Sequence, residues 1–388
     1  MDLELLAALR TPEGSAALAA AAEVAGGDPL AAASALRSRG VPAPLAAAAL
    51  TQTDLRRRAV GKFGAGAAAM FFTRAGFEQA TRAVVADRRA ARLRAAGVAS
   101  LADLGCGLGS DALAAARQGI RVYAVDADPL TAAVARANAE AAGLADLVTV
   151  ECADATSVRV ERFDAVFADP ARRRAGRGRL MDPQAWSPPW DFIAALPQRV
   201  PRTVLKLAPG IDHALLPPGA EGEWVSVDGD LVEAAFWCGP LAEFARRASL
   251  VPSGGMLHGS GVEAAPVGPV GRFLYDPDPA VVRSHLVAEF AAVVGGRLAD
   301  PDIAYVHTDA PVDTAYARRL EITDVMPFSL KRLRALLRER GVGRLEIRKR
   351  GSALEPEQLR RDLRLNGSAA ASLVLTRVAG APTVLLCR

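Results

Sequence analysis

Asp103-Leu104-Gly105-Cys106-Gly107-Leu108-Gly109 decides how the chain is read. An apolar run over residues 99–104 ends in a turn built on three glycines, and residues 111–118 then read as a helix. Strand, glycine turn and helix in that order place a loop at the carboxyl end of a strand, where ligands bind in open α/β sheets. Glycine suits that loop because a side chain would keep a ligand away from the backbone. Beyond the loop, strands are expected at 120–125, 147–151, 163–168 and 203–207, and helices at 129–142 and 189–196. This alternation predicts a parallel sheet covered on both faces. Residues 224–227 and 231–237 flank Asp228-Gly229-Asp230 and read as an antiparallel hairpin, since Asp-Gly supplies the positive φ of a tight turn.

Two ligands compete for such a loop. The dinucleotide fingerprint is GxGxxG, which sets pyrophosphate on the helix N-terminus. Here the spacing is GxGxG, followed by Ser110-Asp111 and preceded by Asp103. Carboxylates on both sides suit a cation better than two phosphates. S-adenosylmethionine carries a sulfonium and an ammonium group and no phosphate, so charge favours it over a nicotinamide dinucleotide. Asp126 ends the second strand, 21 residues after Gly105, where a carboxylate can accept both ribose hydroxyl protons. Asp154 follows the third strand, within reach of an adenine amino group, and Asp169-Pro170 ends the fourth. The cofactor-facing set is Asp103, Gly105, Cys106, Gly107, Gly109, Asp126, Ala127, Asp154 and Ala155.

With these residues in register, 70–240 resembles a class I S-adenosylmethionine-dependent methyltransferase. That resemblance implies an α/β fold with a Rossmann-like seven-stranded methyltransferase sheet ending in the hairpin. It also implies that the three glycines wrap the methionine part of the cofactor. Met70-Phe71-Phe72-Thr73 with Glu78-Gln79-Ala80-Thr81, and Phe167-Ala168-Asp169-Pro170-Ala171-Arg172-Arg173, carry a narrower likeness. It is to an actinobacterial-type methyltransferase family with a C-terminal THUMP-like domain. By that likeness Phe72, Thr73 and Gln79 touch the cofactor. Asp169, Pro170 and Arg172 stand where exocyclic-amine methyltransferases carry (Asp/Asn)-Pro-Pro-aromatic, in which the acid or a carbonyl accepts from the target amine. The second proline is Ala171 here and the aromatic is Arg172. Arginine can stack on a base or hold a phosphate. Catalysis of methyl transfer is chiefly placement of the nucleophile opposite the sulfonium.

The chain divides, on this reading, into a helical domain over 1–62, a methyltransferase domain over 63–250, a small α/β connecting segment over 251–314 and a basic α+β THUMP-like domain over 315–388. The Pro/Gly clusters at 252–269 mark a boundary. A helix is expected at 280–294, strands at 303–307 and 319–322, and helices at 329–340 and 356–363. Net charge is +4 over 388 residues, but residues 314–364 alone hold 14 basic and 7 acidic side chains. Such asymmetry suggests a polyanion-facing module. Lys331, Arg334 and Arg338 share one helical face, with Arg348 and Lys349 following, and this set is the candidate RNA surface. By resemblance THUMP domains bind structured RNA, so transfer or ribosomal RNA is the expected partner.

Apolar residues make up 51% of the chain and charged ones 23%, enough for a packed core. The 47 basic residues include only four lysines: Lys62, Lys206, Lys331 and Lys349. Four cysteines and four histidines are scattered, which argues against a disulfide framework or a zinc site. No long charge-free apolar stretch and no basic leader appear, so a cytoplasmic protein without membrane or metal partners is expected. The leading expectation is an RNA methyltransferase acting on a base amine. Alternatives are an RNA-binding protein that keeps the cofactor fold without catalysis, a protein or small-molecule methyltransferase, and a dehydrogenase.

Overall fold

The computed structural model describes residues 1–171 and 186–388. They form two compact units. One comprises 1–207, 215–220 and 235–243; the other comprises 208–214, 221–234 and 244–388.

The first unit opens with four helices, α1 (Leu3–Leu9), α2 (Pro12–Glu23), α3 (Pro29–Ser38) and α4 (Ala43–Phe63). Asp2, Thr11 and Asp28 cap the first three by accepting from N–H groups of the first turn. Prolines start α2 and α3, where no hydrogen bond is lost. These helices do not form a separate core. Leu6, Leu36 and Leu55 pack in one apolar cluster with Phe72, with Leu108 of the glycine loop, and with Val134. Next come α5 (Arg74–Gln79), α6 (Ala83–Ala95), β1 (Ser100–Leu104), α7 (Ser110–Arg117), β2 (Arg121–Asp126), α8 (Pro129–Ala141), β3 (Val148–Cys152), β4 (Ala165–Ala168), α9 (Trp190–Arg199) and β5 (Thr203–Leu207). The strands lie in the order β3-β2-β1-β4-β5, all parallel. β1 is central, so the loop that leaves it lies at the middle of the sheet's carboxyl edge.

β6 (Glu221–Val227) and β7 (Asp230–Trp237) are the expected hairpin. Asp228 and Gly229 turn it with φ of 53° and 84°, the pair of positive angles such a turn requires. Residues 235–237 of β7 end in the first unit, where Cys238 N–H donates to the Thr203 carbonyl at 2.9 Å.

In the second unit β8 (Arg246–Val251) pairs parallel with β6, and β9 (Gly255–Gly259) pairs antiparallel with β8. These are two strands more than the expected seven, and β9 occupies part of the stretch read as a boundary. Its glycines permit the pairing, because bulkier residues there would meet Glu289 or Tyr316. The remaining elements are β10 (Phe273–Pro277), α10 (Pro279–Arg283), α11 (Val287–Val294), β11 (Arg297–Leu298), β12 (Val306–Thr308), β13 (Ala317–Pro327), α12 (Leu330–Glu339), β14 (Val342–Lys349), α13 (Pro356–Leu363), β15 (Ala369–Val378) and β16 (Ala381–Cys387). The helix expected at 280–294 is two helices, broken at His285, whose φ is 64°. The second sheet runs β11-β12-β10-β13-β16-β15-β14. Strands from 251–314 therefore continue the C-terminal sheet, through the β10–β13 pairing. Among the described residues no helix is long and apolar enough to cross a membrane.

Candidate active site

The glycine loop is held by main-chain bonds. Gly105 and Cys106 N–H both donate to the Val125 carbonyl at 2.9 Å. Gly105, Gly107 and Gly109 have φ of 88°, 56° and 83°, a region that L side chains enter only at a cost. A Cβ on Gly105 would stand 2.8 Å from the Asp169 carbonyl oxygen. The loop after β1 and the end of β4 thus touch, and glycine is what lets them.

Asp126 binds the loop from the end of β2. Its two carboxylate oxygens accept from Gly107 N–H at 3.1 Å and Asp128 N–H at 3.0 Å. Burial pushes its acid constant up, against the pull of those two donors. Asp154 is exposed and caps a short turn, accepting from the Thr156 N–H and hydroxyl at 2.8 and 2.7 Å. Those bonds hold it below the usual carboxylate range. Ala155 is buried beside it, and Ala127 is exposed after Asp126. Cys106 is buried, which raises its thiol well above the usual range; it is not a nucleophile.

Asp103 stands apart from the other acids. It is fully buried, and neither carboxylate oxygen has a hydrogen-bond partner among the described residues. Burial, and then the charges of Asp111 and Asp169, raise it well above the usual carboxylate range; Arg89 and Lys206 oppose them. Asp111 is differently placed from what the charge argument supposed. It pairs with Arg89 and accepts from the Thr81 hydroxyl at 2.6 Å, so its charge is already answered by the protein.

The segment before α5 is clamped by two buried amides. Gln52 Nε2 donates to the Phe72 carbonyl at 2.7 Å, and Phe72 N–H returns a bond to Gln52 Oε1 at 2.9 Å. Asn138 accepts from Phe71 N–H at 2.7 Å and donates to the carbonyls of Phe71 and Leu108. Phe72 is buried, and Thr73 caps α5 by accepting from Gly76 N–H at 2.9 Å. Gln79, at the far end of α5, is exposed.

At the end of β4, Asp169 N–H donates to the Leu104 carbonyl at 3.2 Å. One carboxylate oxygen, Oδ2, lies 2.5 Å from Nζ of Lys206 on β5. Pro170 is buried, and Ala171 exchanges two main-chain bonds with Ser187. Arg172 lies outside the described residues. Sequence reasoning missed Lys206, and with it Lys62, whose Nζ donates to the carbonyls of Phe77 and Glu78. The available signal was compositional: two of only four lysines.

The basic surface divides in two. Lys331 and Arg338 are exposed on α12, as is Arg344 on β14. Arg334 instead donates to the Asp362 carbonyl at the end of α13. Arg348 pairs with Asp276 and Glu346, and Lys349 with Glu355 at 2.8 Å.

A methyltransferase domain family matches residues 101–172, a THUMP domain-like family matches 317–388, and a domain family of unknown function matches 2–59. A Mycobacterium tuberculosis protein, named as an uncharacterized S-adenosylmethionine-dependent methyltransferase, is 37% identical over 354 residues; the match takes in 87% of this chain and 95% of that one. The 23S rRNA (uracil(1939)-C(5))-methyltransferase RlmD of Acidithiobacillus ferrooxidans is 37% identical over 103 residues, 25% of this chain and 23% of its own. A Porphyromonas gingivalis W83 protein, crystallised as a candidate methyltransferase, superposes with a TM-score of 0.73 at 20% identity, over 96% of this chain and 98% of that one. A Rossmann-like sheet with a glycine loop and acids at successive strand ends defines a methyltransferase. The chain belongs to the S-adenosylmethionine-dependent methyltransferases.

The residues present fit that cofactor. Asp103 is a buried carboxylate without a donor, which a cationic ligand would supply, and the glycine backbone leaves room for close approach. When bound, S-adenosylmethionine supplies an electrophilic methyl group on a positively charged sulfur.

Proposed function

We propose that this methyltransferase acts on structured RNA, at an exocyclic amine of a base. The observation that carries the RNA reading is the THUMP domain-like match over 317–388, which coincides with the exposed cations Lys331, Arg338 and Arg344. Exposed lysine and arginine bind a phosphate backbone with a salt-dependent affinity. RlmD, similar over a quarter of the chain, is by its name a ribosomal RNA enzyme.

On this reading Asp103, Gly105, Cys106, Gly107 and Gly109 line the methionine part of the cofactor. Asp126 with Ala127 meets the ribose, Asp154 with Ala155 the adenine edge, and Phe72, Thr73 and Gln79 close the site. Asp169 accepts a hydrogen bond from the target amine and so aims its lone pair at the methyl group. Support for Asp169 is its position: its main chain abuts Gly105, so an acceptor bound there is next to the glycine loop.

The test is transfer of a labelled methyl group to RNA extracted from cells lacking the gene, followed by nucleoside mass spectrometry. The expected product is one N-methylated base, abolished by Asp169→Ala. Labelling of protein in place of RNA would overturn the reading.

A further inference from the structure

Where a fixed positive charge suffices, this chain uses arginine; only four of its 47 basic residues are lysine. Arginine stays protonated at any accessible pH, whereas a buried lysine can give up its proton. Two of the four lysines belong to one place. Lys206 is 8% exposed, with Nζ 2.5 Å from Asp169 Oδ2. Lys62, near the end of α4, donates to the Phe77 carbonyl at 2.7 Å and the Glu78 carbonyl at 3.2 Å, with Nζ over the rings of Phe63 and Phe77. The helix it caps, α5, lies on the glycine loop: a Cβ on Gly76 would be 2.6 Å from Leu108 Cδ2. The charges around Lys62 are Lys206 on β5, Arg82 before α6 and Glu78 on α5, with Arg58 of its own helix over the far ring of Phe77. Burial and the two cations outweigh Glu78 and bring Lys62 down to about 8. In the neutral amine both donated bonds survive and one lone pair is free.

We propose that Lys206 is a positioning residue for Asp169, and that Lys62 is the base that takes the proton lost by the methylated acceptor. This rests on the amine-methylating reading above. The acceptor nitrogen forms a bond to the methyl carbon, while that carbon's bond to sulfur breaks and its electron pair stays on sulfur. One N–H proton leaves the acceptor for Nζ of neutral Lys62, which becomes an ammonium. Asp169 orients the acceptor and is not the base, because a carboxylate matched by an ammonium binds a proton weakly. A cap for the Phe77 and Glu78 carbonyls needs only a cation, and arginine would serve. The choice of lysine is explained by proton exchange.

The test uses the full-length protein. With 15Nζ-labelled lysine, Lys62 is expected to titrate near 8, and to move upward in Lys206→Met, which removes a neighbouring cation. In methyl transfer to RNA from cells lacking the gene, Lys62→Arg and Lys62→Met are each expected to lose roughly a hundredfold or more in kcat. Binding of S-adenosylhomocysteine, read by calorimetry, should stay unchanged in both. Lys206→Arg should recover most of what Lys206→Met loses. Titration of Lys62 in the ordinary lysine range, or a Lys62→Arg variant with wild-type kcat and pH profile, overturns the base role. A wild-type protein that labels no RNA overturns the RNA reading instead, and the Nζ titration then decides the base role by itself.

Discussion

Asn138 on α8 holds the carbonyl of Leu108 at 3.0 Å, and the same side-chain nitrogen holds Phe71, 67 residues from it in sequence. The glycine loop and the segment before α5 are therefore tied to one buried amide. Asn138→Ala would strand three main-chain groups in an apolar setting, each a buried group costing about 1–3 kcal/mol. The expected loss is about 3 kcal/mol after partial relaxation, read from the urea midpoint. Affinity for S-adenosylhomocysteine should fall with it. An unchanged midpoint would show that the clamp does not hold the loop.

The glycines of the loop are not equivalent. An added methyl on Gly105 meets the Asp169 carbonyl at 2.8 Å, whereas one on Gly107 meets nothing within 4 Å. Gly107→Ala should cost about 1–2 kcal/mol from its left-handed backbone alone. Gly105→Ala should in addition part the loop from Asp169 and abolish cofactor binding. Calorimetry that gives the two variants equal affinity would contradict the close approach of loop and strand end.

Asp103 makes stability depend on pH in the absence of cofactor. Its acid constant is raised in the folded state, so the native protein holds a proton that the unfolded chain has lost. That contribution is complete below the ordinary aspartate range and is lost as pH rises toward the folded value. Asp103→Asn should remove this loss. The variant is expected to unfold at higher urea than the wild type at neutral pH, and to bind cofactor more weakly. Parallel pH profiles for the two proteins would refute the assignment.

The exposed and the paired cations should behave differently. Lys331→Ala with Arg338→Ala should weaken RNA binding and lower the salt slope by about one for each phosphate no longer neutralised. Arg348→Ala should leave the slope unchanged and cost stability, because Arg348 answers Asp276 and Glu346 within the fold. Filter binding across a salt series separates the two outcomes.

Much of the sheet was legible because its signals are local. Three glycines at alternate positions, acids at strand ends, and Asp228-Gly229 with its two positive φ angles each act within a few residues. α13 begins at Pro356 and ends at Leu363 as read, for the same reason. What escaped depends on residues distant in sequence. Asp111 looks like a ligand acid until Arg89 and Thr81 are brought to it. Arg348 looks like a phosphate-binding side chain until β10 places Asp276 beside it. Lys206 lies 37 residues from Asp169, and no short-range pattern joins them. The break at His285 was hidden by continuous apolar spacing on either side, and β9 by its glycines.

The two bonds between Gln52 and Phe72 bear on how this protein can be shortened. A stretch recognisable by itself over 2–59 contributes one of the hands that grips the floor of the catalytic half. Recognition as a module and independence as a folding unit have parted company here. A fragment starting after Phe63 would expose an oily face and leave Phe72 without its tether, so the smallest working enzyme includes the helices that touch no substrate.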